Sequence, residues 1–284
     1  MNAIRPLPRR YRAIWISDIH LGTRGCNAEL LLDFLKQTDS DFLYLVGDIL
    51  DGWRLRRTWY WHQTHNDVIQ KLLRKARKGT RIVYIPGNHD ENFRDFAFRR
   101  FGRVVIQNQA IHVTADGRRL LVLHGDQFDG VVRHARWLAF AGDRAYQAAL
   151  SVNTAVNWVR RKLGFRYWSL SAYLKHKVKK AVEYVSRFEA AVVAEARRRG
   201  ADGVVCGHVH TAEMRTVDGI LYCNDGDWVE SCTALVEHAD GRLEILRWAD
   251  IGGSALIGST ACESSSSPTP GSPRSMASSA PSTR

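Results

Sequence analysis

The chain has 284 residues and a mass of 32.2 kDa, enough to bury a full core in one large domain or in one domain with an insertion. A hydrophobic content of 45% with nine tryptophans excludes a disordered polymer, and no apolar run approaches the roughly 20 residues of a membrane span. The formal net charge of +12 calls for an anionic partner, whether nucleic acid, membrane surface or phosphorylated substrate, unless it is only a solvated basic surface.

The five cysteines (Cys26, Cys206, Cys223, Cys232, Cys262) are odd in number and lack a Cys-x-x-Cys pair, which fits reduced thiols in a cytoplasm. The Arg- and Pro-bearing start has no long apolar stretch of the secretory kind. Residues 1–10 read as a basic, flexible lead-in. The run 13–16 (Ala-Ile-Trp-Ile) has no helical period and stops at a small polar residue, as a buried strand does. Asp18 and His20 follow it, two positions apart and therefore on one side of an extended chain. They lie at the carboxyl end of the strand, where open α/β sheets place their sites. A carboxylate oxygen and an imidazole nitrogen so placed can grip one divalent ion. Residues 28–37, with Leu31, Leu32, Phe34 and Leu35, read as an amphipathic helix covering the sheet.

A second strand at 42–46 runs into Gly47-Asp48, where glycine lets the backbone turn tightly or approach a ligand closely. A helix over about 63–78, closed by Gly79, leads to a third strand at 81–85 and then to Gly87-Asn88-His89-Asp90. Asn88 offers a neutral amide oxygen, and His89 is the side chain here suited to proton transfer near neutral pH. As local structure the same turn reads as the capped start of a helix over 91–101. A strand at 120–123 ends in His124-Gly125-Asp126, and another at 203–206 ends in Gly207-His208-Val209-His210. Residues 220–247 read as a β meander of three runs, with turn signals at Asp225-Gly226 and Asp240-Gly241. From about Gly252 the composition turns to Ser, Pro, Ala and Thr, so 252–284 is expected to be a disordered tail. The class is α/β. Each Asp/His turn alone would be ordinary; five strand ends bearing such residues point to a metal centre.

Residues 131–200 carry 15 Lys and Arg against 4 Asp and Glu, a net of +11, so nearly all the excess charge sits there. The same segment holds Trp137, Phe140, Trp158, Phe165, Tyr167, Trp168, Tyr173 and Tyr184, and 178–196 reads as an amphipathic helix packed on the core. Cations mixed with aromatics fit an anionic membrane surface or a phosphate-bearing lipid. They also fit nucleic-acid binding, or a helical cap with a basic outer face. On the first reading the protein works in the cytoplasm, peripheral on the inner face of the cytoplasmic membrane.

In order, Asp18-x-His20, Gly47-Asp48, Gly87-Asn88-His89-Asp90, His124-Gly125-Asp126 and Gly207-His208-Val209-His210 resemble the five-block signature of calcineurin-like metallophosphoesterases, over roughly residues 11–248. The resemblance implies a four-layer α/β/β/α sandwich with a helical insertion, here a domain over 11–251 with the insertion at about 131–200. By position, it implies one divalent ion on Asp18, His20 and His210, a second on Asn88, His124 and His208, and Asp48 bridging them. His89 would sit by the scissile phosphate, making Asp48 and His89 the catalytic pair. Mn²⁺ is the expected metal, because mixed oxygen and imidazole donors suit Mn or Fe better than thiolate-loving ions. Two ions about 3.5–4 Å apart would activate a bridging water for in-line attack and clamp the phosphate oxygens.

Within that superfamily the chain is similar to the UDP-2,3-diacylglucosamine diphosphatases of lipid A synthesis. The pointers are Gly47-Asp48-x-x-Asp51-x-Trp53, the insertion before Gly-His-x-His, and Asn224-Asp225-Gly226-Asp227-Trp228 after it. This implies pyrophosphate cleavage to UMP and 2,3-diacylglucosamine 1-phosphate, with the insertion capping acyl chains. One departure is His89, where the best-known members have Arg. The alternatives are a phosphodiesterase or phosphatase for another nucleotide, phospholipid or nucleic acid, and a binding scaffold of the kind relatives become on losing metal ligands. This chain keeps every ligand position.

Overall fold

The computed structural model describes residues 8–129 and 170–251, the backbone alone for 170–183. In chain order the elements are β1 (Arg9–Ile16), α1 (Ala28–Gln37), β2 (Thr38–Val46), α2 (Gly52–Arg57), α3 (Gln63–Arg77), β3 (Arg81–Ile85), β4 (Arg100–Phe101), β5 (Val104–Ile106), β6 (Ala110–Val113), β7 (Arg119–Val122), α4 (Leu170–Arg198), β8 (Gly203–Cys206), β9 (Glu213–Val217), β10 (Ile220–Asn224), β11 (Thr233–Glu237) and β12 (Leu243–Arg247).

They build two sheets, one ordered β12-β11-β1-β2-β3-β5-β4 and the other β6-β7-β8-β10-β9. Strand alternation decides the layers, since successive side chains point to opposite faces. Ile14 and Ile16 of β1 face Leu31, Phe34 and Leu35 of α1 and Val68 and Leu72 of α3. Ala13 and Trp15 face the other way, into a core shared with Leu120, Val122 and Val205 of the second sheet. The outer side of that second sheet is covered by Phe188, Val192, Val193 and Ala196 of α4. The result is the expected sandwich of helices, sheet, sheet and helix, and Phe188, Val192, Val193 and Ala196, in the described part of the amphipathic stretch read at 178–196, pack on the core.

Several boundaries differ from the sequence reading. The lead-in is shorter, because Arg9 and Arg10 already pair with Thr38 and Asp39 of β2. β2 follows α1 without a loop: the Thr38 hydroxyl donates to Phe34 O at 2.7 Å as the chain leaves the helix. Residues 91–101 are not one helix. A 3₁₀ turn at Glu91–Phe96 gives way to Phe98 in the left-handed region, and the chain folds back at Gly102 into the edge pair β4–β5. The meander is also corrected. β10 lies between β8 and β9 in the second sheet, whereas β11 and β12 pair in the first, so 225–232 is a crossover between sheets. The Asp227 carboxylate accepts the Val229 N–H at 2.7 Å and bonds the Glu230 N–H, and Trp228 is buried, which makes this segment a wedge rather than a hairpin tip.

Residues 1–7, most of the proposed insertion (130–169) and the tail (252–284) lie outside the described residues. Among the described residues no helix is long and apolar enough to cross a membrane.

Candidate metal centre and active site

Five loops leave the carboxyl ends of β1, β2 and β3 in one sheet and β7 and β8 in the other, strands that run parallel within each sheet. Parallel strands ending together bring their following loops together, which is why residues far apart in sequence meet here. Among the described residues eight non-glycine positions have left-handed φ, and five of them are Asp18, His20, Asp48, His208 and His210. Such conformations cost about 1–3 kcal/mol each and persist only where neighbours hold them. Here the holding bonds are visible: Asp18 N–H donates to Gly47 O, His20 N–H to Asp48 O, and His208 N–H to the Asp18 carboxylate at 2.8 Å.

The ligand atoms of Asp18, His20 and His210 lie within 4.8 Å of one another, as do those of Asp18, Asp48 and His124. His210 Nε2 is 2.9 Å from Asp18 Oδ1, and His208 Nδ1 is 3.3 Å from His124 Nε2. Asp48 lies between the groups, with Oδ1 3.5 Å from His124 Nε2 and Oδ2 3.8 Å from His20 Nε2. Asn88 is buried in the β3 loop, and its neighbour Gly87 shows how close that loop comes. A Cβ at Gly87 would stand 2.2 Å from Asp48 Oδ1 and 2.7 Å from His124 Nε2, so no side chain fits there. At Gly47 a Cβ would meet the His124 ring at 2.2 Å. The structure thus gathers Asp18, His20, Asp48, His124, His208 and His210, with Asn88 buried in the adjoining β3 loop and His89 at the rim, its Nε2 3.9 Å from Asp48 Oδ2.

This donor set fits divalent cations. Asp18 and Asp48 are two fully buried carboxylates within one group, and each raises the cost of charging the other. Burial alone would push both up. The histidines around them outweigh it and hold Asp18 and Asp48 well below the usual carboxylate range, so both remain anionic ligands. The same exchange pulls His124 and His210 down through burial, then lifts both above the ordinary imidazole range through Asp48 and Asp18. A cation bound between the carboxylates would replace the ring protons in that role. The rings are aimed for it: His124 Nδ1 meets Val46 O at 2.8 Å, His208 Nε2 meets Asp129 Oδ1 at 2.6 Å and His20 Nδ1 meets Asp51 Oδ2 at 3.2 Å. Each of these rings keeps its other nitrogen for the centre.

Several residues that the sequence motifs include without a role, together with Arg94, brace the loops here. Asp90 accepts from Ile49 N at 2.8 Å, from Tyr84 OH and from Gly87 N at 2.6 Å, tying the β2 loop to the β3 loop. Arg94 forks onto Asp126 at 2.6 and 2.8 Å and ties the β3 loop to the His124 loop. Asn224 Nδ2 donates to Gly207 O at 2.7 Å, and Trp228 N donates to Asp18 O at 3.1 Å, so the crossover wedge supports loops from both sheets. Asp51 reaches His20 and His89 together.

A family model for calcineurin-like phosphoesterases matches residues 11–212. UDP-2,3-diacylglucosamine hydrolase of Xanthomonas oryzae pv. oryzae is 30% identical over 241 residues, covering 80% of this chain and 96% of that protein. The protein of the same name from Xanthomonas campestris pv. campestris is 27% identical over 251 residues, with the same coverage of each. Among solved structures, wild-type Vps29 of Entamoeba histolytica complexed with Zn²⁺ is similar at 13% identity and a TM-score of 0.38, covering 83% of this chain and 97% of that one. The family match runs through all the loops that meet at the clustered carboxylates and imidazoles. By that match this phosphoester hydrolase belongs to the calcineurin-like phosphoesterases.

Proposed function

We propose that the protein cleaves the pyrophosphate of a nucleotide-linked lipid of the UDP-2,3-diacylglucosamine type, releasing UMP and 2,3-diacylglucosamine 1-phosphate. The observation that carries the chemistry is the pair of donor groups joined through Asp48, one carboxylate oxygen turned to His124 and the other to His20. The substrate follows from relatives that bear the hydrolase name and align over 96% of their own length.

On this reading Asp18, His20 and His210 would hold one cation and Asn88, His124 and His208 the other, with Asp48 available to both. The oxygen and imidazole donors suit Mn²⁺. When bound, such a pair lowers the pKa of water and offsets the charge that builds on phosphoryl oxygens during in-line displacement. The chain supplies the rest. Water's oxygen joins one phosphorus, the bridging P–O bond breaks, and the bridging oxygen leaves with the other phosphate. His89 keeps Nδ1 3.0 Å from Asp51 Oδ1, which turns Nε2 toward the centre as the proton carrier for that leaving oxygen. Trp53 lies over the His89 ring, with centroids 4.2 Å apart, and limits its rotation. The basic, aromatic segment at 131–200 would bring the centre to an anionic membrane surface on the cytoplasmic side, where such a lipid resides.

His89 in place of the Arg of the best-known diphosphatases favours one second reading, a phosphodiesterase for another substrate. The full-length protein assayed with Mn²⁺ should release UMP from UDP-2,3-diacylglucosamine faster than it hydrolyses bis(p-nitrophenyl) phosphate or single-stranded DNA. EDTA should abolish the reaction, Mn²⁺ should restore it, and Asp48→Ala should remove it. Cleavage of DNA without UMP release would end the lipid reading; full activity of Asp48→Ala would end the metal assignment.

A further inference from the structure

The centre is not equally open on all sides. His208 and His124 have side chains only 0% and 1% exposed, and the Phe188 ring of α4 lies 5.7 Å from that of His208. His89 and His210 are 18% and 26% exposed, and with His20 they form one wall of a cleft of about 630 Å³ on the α2 side. Among the described residues this cleft is an open approach to the centre. Its volume lies within the roughly 300–1,000 Å³ of small-molecule sites.

The lining of the same cleft includes three arginines, Arg24, Arg54 and Arg57. None of the three is paired with a carboxylate among the described residues. The one acidic side chain in the lining, Asp51, is turned to His20, His89 and the Arg54 backbone N–H. Three like charges gathered on one concavity repel each other, and an anion entering it relieves that repulsion while accepting forked hydrogen bonds. Arg24 also lies over the half-buried Tyr60 ring, 5.4 Å from its centroid, so a flat cation-on-aromatic platform borders the same space.

We infer that this cleft is the subsite for the nucleoside monophosphate end of the substrate: Arg54 and Arg57 hold its phosphate, and the Arg24–Tyr60 platform meets its planar base. The inference rests on the reading of the centre as a pyrophosphate hydrolase. It assigns the nucleotide end of the substrate to α2 and the loop after β1, elements outside the insertion.

The test is UMP inhibition of Mn²⁺-dependent bis(p-nitrophenyl) phosphate hydrolysis by the full chain, beside calorimetric titration of UMP. In the Arg54→Ala/Arg57→Ala variant the inhibition constant for UMP should rise at least ~10-fold, since each lost charge-assisted bond is worth about that much. The constant for inorganic phosphate, which needs the metal centre alone, should move less than ~3-fold. Arg54→Lys/Arg57→Lys should recover part of the loss. Arg24→Ala, at an exposed side chain that is not itself a candidate metal ligand, gives a single-site check on the platform and should weaken UMP more than phosphate. Equal UMP affinity in wild type and double variant, or equal weakening of UMP and phosphate, would overturn the assignment. If UDP-2,3-diacylglucosamine is not cleaved but UMP still inhibits through Arg54 and Arg57, the subsite stands and the lipid substrate falls. If the lipid is cleaved and UMP inhibition ignores the arginines, the reverse holds.

Discussion

A single carboxylate can orient two imidazoles when each oxygen meets a different ring, and Asp51 does this at the mouth of the centre. Its Oδ2 is 3.2 Å from His20 Nδ1, while Oδ1 is 3.0 Å from His89 Nδ1 and accepts the Arg54 N–H at 2.8 Å. Burial pushes Asp51 up, but the two histidines and that N–H hold it below the usual carboxylate range. It therefore presents an anion to both rings. Asp51→Asn keeps the size and loses the charge, and its amide nitrogen cannot accept from either ring. Mn²⁺ titrated against phosphodiester hydrolysis should show a loss of about 10–100-fold in metal affinity or activity, the usual effect of removing an orienting partner. Wild-type Mn²⁺ dependence in this variant would mean that the rings hold themselves. The metal-ligand candidates were legible in the sequence because each follows an apolar strand, a local pattern. Asp51, Asp90 and Asp129 were not legible in those roles, because what marks them is a partner 31 to 79 positions away.

At the scale of elements, the strands that carry the site were readable from their apolar runs, α1 from its amphipathic period and α3 from the Gly79 that closes it. β4, β5, β6 and β9 were missed: β4 and β9 are mostly solvent-facing, with Arg100, Phe101, Met214, Arg215 and Thr216 exposed, and β5 and β6 are runs too short to show a period. The crossover at 225–232 was missed because Asp-Gly marks a hairpin and a sheet change alike; only the burial of Trp228 and the pairing of β10 with β8 distinguish them. Another feature invisible in one dimension joins the two sheets away from the centre. Glu237 of β11 accepts from Arg12 of β1 at 2.8 and 2.9 Å, lies 2.7 Å from His112 Nε2 of β6, and accepts the Ala115 N–H at 2.7 Å. Tyr44 OH lies 3.0 Å from the other nitrogen of His112. Burial raises Glu237, but His112, the Ala115 N–H and Arg12 together lower it below its ordinary 4.5. A carboxyl depressed in the folded state stabilises fully above its unfolded pKa, and that stability is lost as pH falls through the folded pKa. Glu237→Gln should therefore lower stability near pH 7, on the order of 3 kcal/mol for a broken buried pair. It should also flatten the acid limb of the melting profile below about pH 4.5. Parallel profiles for variant and wild type would show that other carboxyls set the acid limit.

For the molecule as a whole, the distribution of charge matters more than its total. Residues 131–200 hold +11 of the net +12, so the rest of the chain is close to neutral. The described end of that segment is not detached from the chemistry: Tyr184 OH of α4 donates to Asp129 at 3.1 Å, and Asp129 holds His208 Nε2 at 2.6 Å. A sequence segment that gathers cations and aromatics, its described end joined to the candidate ligand His208 through one carboxylate, would suit an enzyme that meets its substrate at an interface. If attraction to anionic lipid underlies this, it must obey screening, with a Debye length of about 8 Å at 0.15 M salt and about 3 Å at 1 M. Full-length protein should therefore sediment with vesicles containing phosphatidylglycerol at low salt, should release as salt approaches about 0.5 M, and should ignore vesicles of phosphatidylcholine alone. Binding that survives high salt equally on both vesicles would assign the contact to apolar insertion by the aromatic residues. No binding to either would leave the basic segment as a cap over a substrate that arrives in free solution.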